Sequence, residues 1–564
     1  MDYSLDLIKM REVFDAVYNG ARIYKRKEFS FTARGYEYTS RVVNVTFDYA
    51  IREWNRIRPG VYARLGHTPA ADEFEDCIAR RNGEIVGVMT DSEVARPVDI
   101  EADTGWFTYE DGVYRAKGSS KTVYDVAEIR RRLYEEGFTL DGVHYVRYKR
   151  SSGSSRVGKV LFIDEMLYPR MHEWELCGIR MREGQEVDLA ALEAYIALTL
   201  SSIIGTVEIL PENILLIDDY RSVFTDRVIA VGEKNGHLCA SAAPQEITNV
   251  IWDGQSLMDK SLFGPYADKG FVLLRNRFFK SACFNANVQD FFRDNGITSV
   301  DQLRACGGRT RARRIEDVKL ITTPSSIKYM KFGTFEKWLD NLDPIFGVVK
   351  HEKKTHYMGG RMVQTHYQLL QTLQMTKDEV AELLRPSLEY IAQVKTNPAV
   401  MRYHVKYPAD AAFELTPLTS RNDVVYRMLG INDEFVKTKV YASFRKDVSD
   451  SFMLNLKCGH VLVEGNYSTL LGNGVEMLQS AIGQFDGRSI LPEGTVCSYR
   501  FDEGCEILGS RSPHVSIGNV WLTKNARHAL IDRYMNMTEE IIYVNTIGEN
   551  LLARLSGADW PLYK

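Results

Sequence analysis

"GSRSPHVSIGNV" spans residues 509–520, and the way it is read decides the fold of the C-terminal third. It overlaps "CEILGSRSP" (505–513), a short apolar run closed by a Gly/Pro-rich turn, which reads as a strand. Three more runs of the same kind precede it: "KTKVYASF" (437–444), "HVLVEGNY" (460–467) and "TVCSYRF" (495–501), with turns at Gly465, Gly472 and Gly474. Residues 436–564 are therefore expected to form a β-rich unit. Arg511 and Pro513 make an R-x-P pattern, which carries no function in isolation.

Upstream, residues 301–435 change character. "GGRTRARR" (307–314) carries Arg309, Arg311, Arg313 and Arg314, and "PSSIKYMKF" (324–332) places Lys328 and Lys331 among aromatic residues. Cations for phosphates and rings for bases are what a nucleic-acid channel needs; a solvated loop and an ordinary helix start account for the same residues. "VQTHYQLLQTLQ" (363–374) reads as helix. "TKDE" (376–379) has capping-box form and opens a second helix, which Pro386 is expected to kink or split. This segment reads as a basic, helical connector.

Before the connector lies a second β-rich stretch. A helix over 189–206 leads into "ILLIDDY" (214–220). "RVIAVGE" (227–233) and "HLCASAA" (237–243) then read as strands joined through Lys234-Asn235-Gly236. Short strands with Gly-rich turns make a compact, barrel-like unit over about 205–300, and the whole region is taken as 146–300. Residues 1–145 read as a mixed α/β accessory domain, with an amphipathic helix over 125–138 and a strand over 142–150. Between these regions, Gly153 to Lys159 spells G-x-x-x-x-G-K. Val160 stands where a phosphate-binding loop needs Ser or Thr, and a strand follows where a helix is required. Lys149, Arg150, Arg156 and Lys159 suit a loop touching a phosphate backbone, or a solvated loop.

The totals set outer limits. A chain of 564 residues is too long for one ordinary core, and a net charge of −4 confines any nucleic-acid binding to local basic tracts. None of the eight cysteines forms a C-x-x-C pair. The spacing of Cys458-Gly-His460 and of Cys497 and Cys505 does not fit a standard zinc site, so buried free thiols are expected. His351, His356 and His366 read as surface or structural rather than as ligands. No signal-peptide pattern opens the chain and no run of about 18 apolar residues occurs, which points to a cytoplasmic protein with no membrane partner.

The order of these pieces resembles the two-barrel RNA polymerase superfamily, closest to single-chain phage-type enzymes and the eukaryotic RNA-dependent polymerases of RNA silencing. The resemblance covers roughly 150–560. It implies an α+β multidomain chain: two double-psi β-barrel-like units joined by the basic helical connector, with an N-terminal α/β accessory domain. Arg511 and Pro513 match the R-x-P segment near the incoming nucleotide. "NLLARLSGADW" (550–560) resembles the strand entering the metal loop, which commonly reads A-D-F-D-G-D; Ala558, Asp559 and Trp560 match its start. In the first barrel, Lys260 and Lys280 resemble the basic pair facing that loop, with Lys269 as a substitute for the first, while Arg275 and Arg277 match substrate-channel positions.

The implied chemistry is nucleotidyl transfer from NTPs, with magnesium as cofactor and a nucleic-acid template and product as partners. Lys260, Lys280, Arg511 and Asp559 would be catalytic, and Asp559 would be the metal ligand. The second and third aspartates are missing, since Pro561 and Tyr563 stand in their places. One carboxylate does not hold two magnesium ions, so the sequence reads as the front part of a polymerase, cut inside its metal loop by an interrupting element, a split gene needing a second chain, or a truncated gene model. The alternative is a non-catalytic nucleic-acid-binding accessory protein of replication or transcription. Neither a P-loop hydrolase using 153–159 nor a metal-dependent nuclease fits as well. The purified chain alone is predicted to give no magnesium-dependent extension of a primed template; robust extension would overturn the incomplete-site reading.

Overall fold

The structure, a computed structural model, describes residues 4–9, 31–33, 36–46, 107–110, 113–116, 134–140, 142–149, 159–200, 204–352, 357–405, 421–514, 516–555 and 557. It is a mixed α+β fold with several separate sheets. The chain forms two compact units. The smaller comprises 1–211, 273–280 and 327–350, and the larger 212–272, 281–326 and 351–564. Among the described residues no helix is long and apolar enough to cross a membrane, and the described cysteines are free thiols.

In the smaller unit an antiparallel sheet runs in the order Ser4–Lys9, Tyr36–Thr46, Lys159–Asp164, Val143–Lys149, Phe138–Leu140. The alternation over 142–150 thus gives the expected strand. The expected helix over 125–138 is described only at Tyr134–Glu136; it stops at Gly137 (φ +68°), where a Cβ would sit 2.2 Å from the Tyr145 carbonyl oxygen, and Phe138 already belongs to a strand. Residues 151–158 lie outside the described residues, and Lys159 opens a strand. Lys149 is not a phosphate contact. The strand turns its side chain inward, where it pairs with Glu175 and donates to Thr199 Oγ1 at 3.2 Å. Tyr148 also donates to Glu175. The helix expected over 189–206 is Leu189–Ile196, capped by Asp188 and prolonged by a 3-10 turn to Leu200. Gly205–Glu208 is instead a strand, paired antiparallel with Ile345–His351.

The larger unit holds two quartets of strands. The first comprises β1 (Ile214–Leu216), β2 (Gln255–Asp259), β3 (Phe279–Ala286) and β4 (Leu320–Thr322). Here β1 is parallel to β4, β4 antiparallel to β2, and β2 parallel to β3. The second comprises β5 (Thr469–Gly472), β6 (Thr495–Ser498), β7 (Trp521–Asn525) and β8 (Ile541–Val544). β5 is parallel to β8, β8 antiparallel to β6, and β6 parallel to β7. The two quartets share one strand order and one set of polarities. Parallel neighbours require crossover connections and burial on both faces. Accordingly β1, β2 and β8 are buried at every position.

Several sequence expectations are corrected here. The segments 227–233 and 237–243 are not barrel strands. They lie in a two-stranded ribbon, Arg221–Lys234 with His237–Val250, that pairs only with itself through a turn at Asn235 and Gly236, both at positive φ. "KTKVYASF" is not a strand either. Thr438 caps a helix there, α2 (Lys439–Lys457), because Tyr441, Phe444, Phe452 and Leu456 recur at helical spacing and are buried. Within 363–374 only Tyr367–Thr372 is helical, and Met362–Gln364 pairs with Leu462–Glu464 as strand. The capping box at Thr376 and Glu379 is present and opens α1 (Lys377–Thr396), which Pro386 does not split.

Lys149 and Glu175 form a buried ion pair, so removing one partner strands the other charge. Glu175→Ala is predicted to cost about 3–5 kcal/mol of unfolding free energy. The paired change Lys149→Met with Glu175→Leu should recover most of that loss in the same denaturant titration.

Candidate functional site

Both quartets meet at a buried polar join. Gln255, the first residue of β2, is fully buried; its Nε2 donates to the Gly472 carbonyl at 2.8 Å and its Oε1 accepts from the Gly472 amide at 3.0 Å. The side-chain amide thus completes both backbone bonds at the end of β5. The next residue, Asn473, adopts a left-handed conformation (φ +45°) that turns the chain out of the strand. Asn is one of the few non-glycine residues that takes this conformation readily. The Asn473 carbonyl accepts from Trp252 Nε1 at 3.0 Å, its Oδ1 accepts from the Thr546 amide and hydroxyl at 3.0 Å each, and its Nδ2 donates to Glu476 Oε1 at 2.9 Å.

Glu476 is fully buried. It also accepts from Ser489 Oγ (3.0 Å), the Ile490 amide (2.9 Å) and the Tyr543 hydroxyl. Burial first, and then the Glu476 carboxylate, hold the Tyr543 hydroxyl well above its ordinary pKa of 10.0. None of these residues was singled out from sequence. The available signal was Asn473 between Gly472 and Gly474, a place where only a turn in left-handed backbone fits.

The R-x-P segment is tied to two neighbours. Arg511 Nη1 donates to the Leu555 carbonyl at 2.8 Å, and Asn519 Nδ2 donates to the Arg554 carbonyl at 2.7 Å. Arg511 is therefore brought to the stretch that leads to Asp559; Asp559 itself lies outside the described residues. That stretch is a short helix, Leu551–Arg554, and not the expected strand, because Leu551 and Leu555 bury one face of a single turn. On its other side, Ser512 Oγ and the His514 amide both donate to Gln368 Oε1, at 3.0 and 2.9 Å. His366 caps the helix that starts at Tyr367, accepting from the Gln368 amide. His351 is bonded to the Glu352 carbonyl, and His356 lies outside the described residues.

The basic candidates divide by environment. Lys260 is exposed on the 3-10 turn after β2 and pairs with Asp290 at 3.1 Å, while Lys269 pairs with Asp268 at 2.6 Å. Arg309 sits on a two-residue strand against β1 and pairs with Asp218 at 3.4 Å. Arg311 and Arg313 are exposed, and Arg314 pairs with Asp317 at 2.8 Å. In the smaller unit Lys280 is exposed, Lys328 is half-buried, and Lys331 is exposed over the Tyr195 ring. Arg275 and Arg277 are buried, which corrects their assignment to a substrate channel. Arg275 Nη1 donates to the Leu274 carbonyl at 2.9 Å. Arg277 stacks on Trp174 and donates to the Trp174 and Asn341 carbonyls, so its fork is spent on internal acceptors.

Among the described residues no group of three or more His, Cys, Asp or Glu is placed to hold a metal ion. The described residues therefore do not fit a magnesium site. Cys458 with His460, and Cys497 with Cys505, form no such group either; burial pushes the Cys497 thiol up to about 11. No family profile matches the chain. No curated protein matches it either.

Tyr543→Phe removes the hydroxyl that satisfies Glu476 and is predicted to cost about 1–3 kcal/mol in chemical denaturation. A raised folded-state pKa adds stability that is fully present below the unfolded value and lost as pH rises past it. The wild-type protein should therefore lose stability above pH 10, and the Tyr543→Phe variant should lose less over the same interval.

Proposed function

We propose that this chain forms the two-barrel part of a template-directed RNA polymerase, binding NTPs together with a nucleic-acid template and product. One observation carries the reading: β1–β4 and β5–β8 repeat the same strand order and polarity. A paired architecture of this kind is what the two-barrel resemblance implies. Arg511 supports it as well. One of its donors is fixed on the Leu555 carbonyl, next to the stretch that the resemblance likens to the entry of the metal loop, and a planar guanidinium there suits a phosphate or ribose oxygen. Lys260 is exposed on the turn after β2, its pairing with Asp290 at the surface, and a lysine there is suited to offset triphosphate charge.

Magnesium would supply the activation of the attacking hydroxyl in this chemistry. The described residues do not provide its site, and no step is assigned to it. The binding functions stand on the chain's own cations. Arg311 and Arg313 are exposed beside Arg309 and Arg314, a spacing suited to consecutive backbone phosphates. Those exposed arginines also favour the second reading, a nucleic-acid-binding accessory protein without chemistry.

Two measurements separate the readings. Binding to single-stranded RNA and to an RNA–DNA hybrid should weaken linearly with log salt, and Arg311→Ala with Arg313→Ala should lower that slope by about 2. A fluorescent NTP should bind the wild-type chain and bind at least about tenfold more weakly to Arg511→Ala. Strand binding without Arg511-dependent NTP binding would leave the accessory reading. Absence of both would overturn the two readings together.

A further inference from the structure

A cavity of about 350 Å³ opens in the helical part of the larger unit. None of its lining residues belongs to β1–β8. One wall is a face of α2, where Phe444 and Phe452 stand eight residues apart. Facing that helix in the lining are Tyr357 and Gln364, and His404 and the Arg421–Asp447 ion pair complete it. The volume lies within the range of small-molecule sites.

Gln364 is the informative residue. The Tyr357 hydroxyl donates to its Oε1 at 3.3 Å, while its Nε2 is buried with no hydrogen-bond partner. The Gln364 backbone is fixed in strand pairing opposite Leu462. Buried amide donors left without an acceptor are uncommon and costly. A ligand carrying a carbonyl or ring-nitrogen acceptor would satisfy this one once the amide turns toward the cavity.

Charge narrows the ligand. Arg421 Nη1 is neutralised by Asp447 Oδ2 at 2.7 Å. His404 shares a hydrogen bond with the Tyr390 hydroxyl at 3.0 Å, and burial lowers its pKa and favours the neutral ring. The cavity therefore carries no net charge and does not select an anion. Aromatic walls favour a planar ring, and a primary amide is the side chain that pairs with a base edge. We propose that this cavity binds a nucleobase, presented either by a free nucleoside or by an unpaired base of a strand. The proposal does not depend on the polymerase reading and stands if that reading fails.

The test uses the full chain. Adenosine, guanosine, cytidine and uridine are titrated by calorimetry, and six-nucleotide homopolymers by fluorescence anisotropy. Two variants are compared with wild type: Gln364→Leu, which removes the amide at similar volume, and Ser451→Trp, which fills the cavity from an exposed position of α2. Glu233→Ala, at an exposed position of the two-stranded ribbon, serves as a control outside the cavity. At least one nucleoside should bind with Kd below about 1 mM, and both variants should weaken it at least about tenfold while Glu233→Ala leaves it unchanged. If only oligonucleotide binding responds to the two variants, the base comes from a strand. If neither nucleoside nor oligonucleotide binding differs between wild type and Ser451→Trp, the proposal is overturned, whether or not Gln364→Leu folds.

Discussion

The larger unit depends on one buried polar join. Gln255 satisfies both backbone groups of Gly472, and Asn473 then accepts from Trp252 and from Thr546. These groups are fully buried, where each unmet donor or acceptor would carry its desolvation cost. The join therefore specifies one docking of the two quartets, which apolar packing alone would leave open to sliding. Glu476 extends the same constraint. A fully buried carboxylate is tolerated because Asn473, Ser489, Ile490 and Tyr543 all donate to it. Loss of any one donor would be felt by all of them, since the acceptors are shared.

The strand quartets explain why the polar join sits where it does. In each quartet the parallel pairs need long crossovers, and the chain leaves β5 through a turn at its C-terminal end. In the second quartet that exit is Asn473, in left-handed backbone. The turn frees the Asn473 carbonyl and side chain from strand pairing, and so makes them available to the first quartet. A repeated architecture thus carries a non-repeated contact. The R-x-P segment is held by a comparable device. Arg511 and Asn519 reach the last turn before residue 556, and Gln368 takes two donors from Ser512 and His514. The arginine is positioned by the Leu555 carbonyl, and its neighbours Ser512 and His514 by the Gln368 side chain.

The candidate site was only partly legible. Arg309, Arg311, Arg313 and Arg314 form a basic tract in sequence and remain on the surface, since a Gly-rich, charged stretch has no apolar face to bury. Arg277 looked the same in sequence, yet it fills the space between Trp174 and two backbone carbonyls. A guanidinium is equally suited to a phosphate and to a pair of carbonyl oxygens, and its neighbours in sequence do not distinguish the two. Gln255 and Glu476 have no periodic signature in sequence, each being a lone amide or carboxylate near apolar residues, and Asn473 is marked only by its flanking glycines. Gln364 was hidden for the same reason, within a stretch whose helical reading placed it on the wrong element.

What the sequence by itself determined were the features whose cause is local. The capping box at Thr376 and Glu379, the turn at Asn235-Gly236, the strand alternation at 143–149 and the apolar runs that became β1 and β6 all follow from neighbouring residues acting through backbone geometry. What only the tertiary structure decided were the features whose cause lies elsewhere along the chain, from 26 positions away for Lys149 and Glu175 to more than 200 for the join. "KTKVYASF" became helix because Tyr441 and Phe444 bury against a core that includes Tyr390, Met401 and Leu462. Lys149 became half of a buried ion pair because Glu175 lies on a separate helix. Trp252, Gln255 and Asn473 became the join of the larger unit because two quartets bring polar groups more than 200 residues apart in the chain to one buried place, where they meet each other's hydrogen-bonding needs.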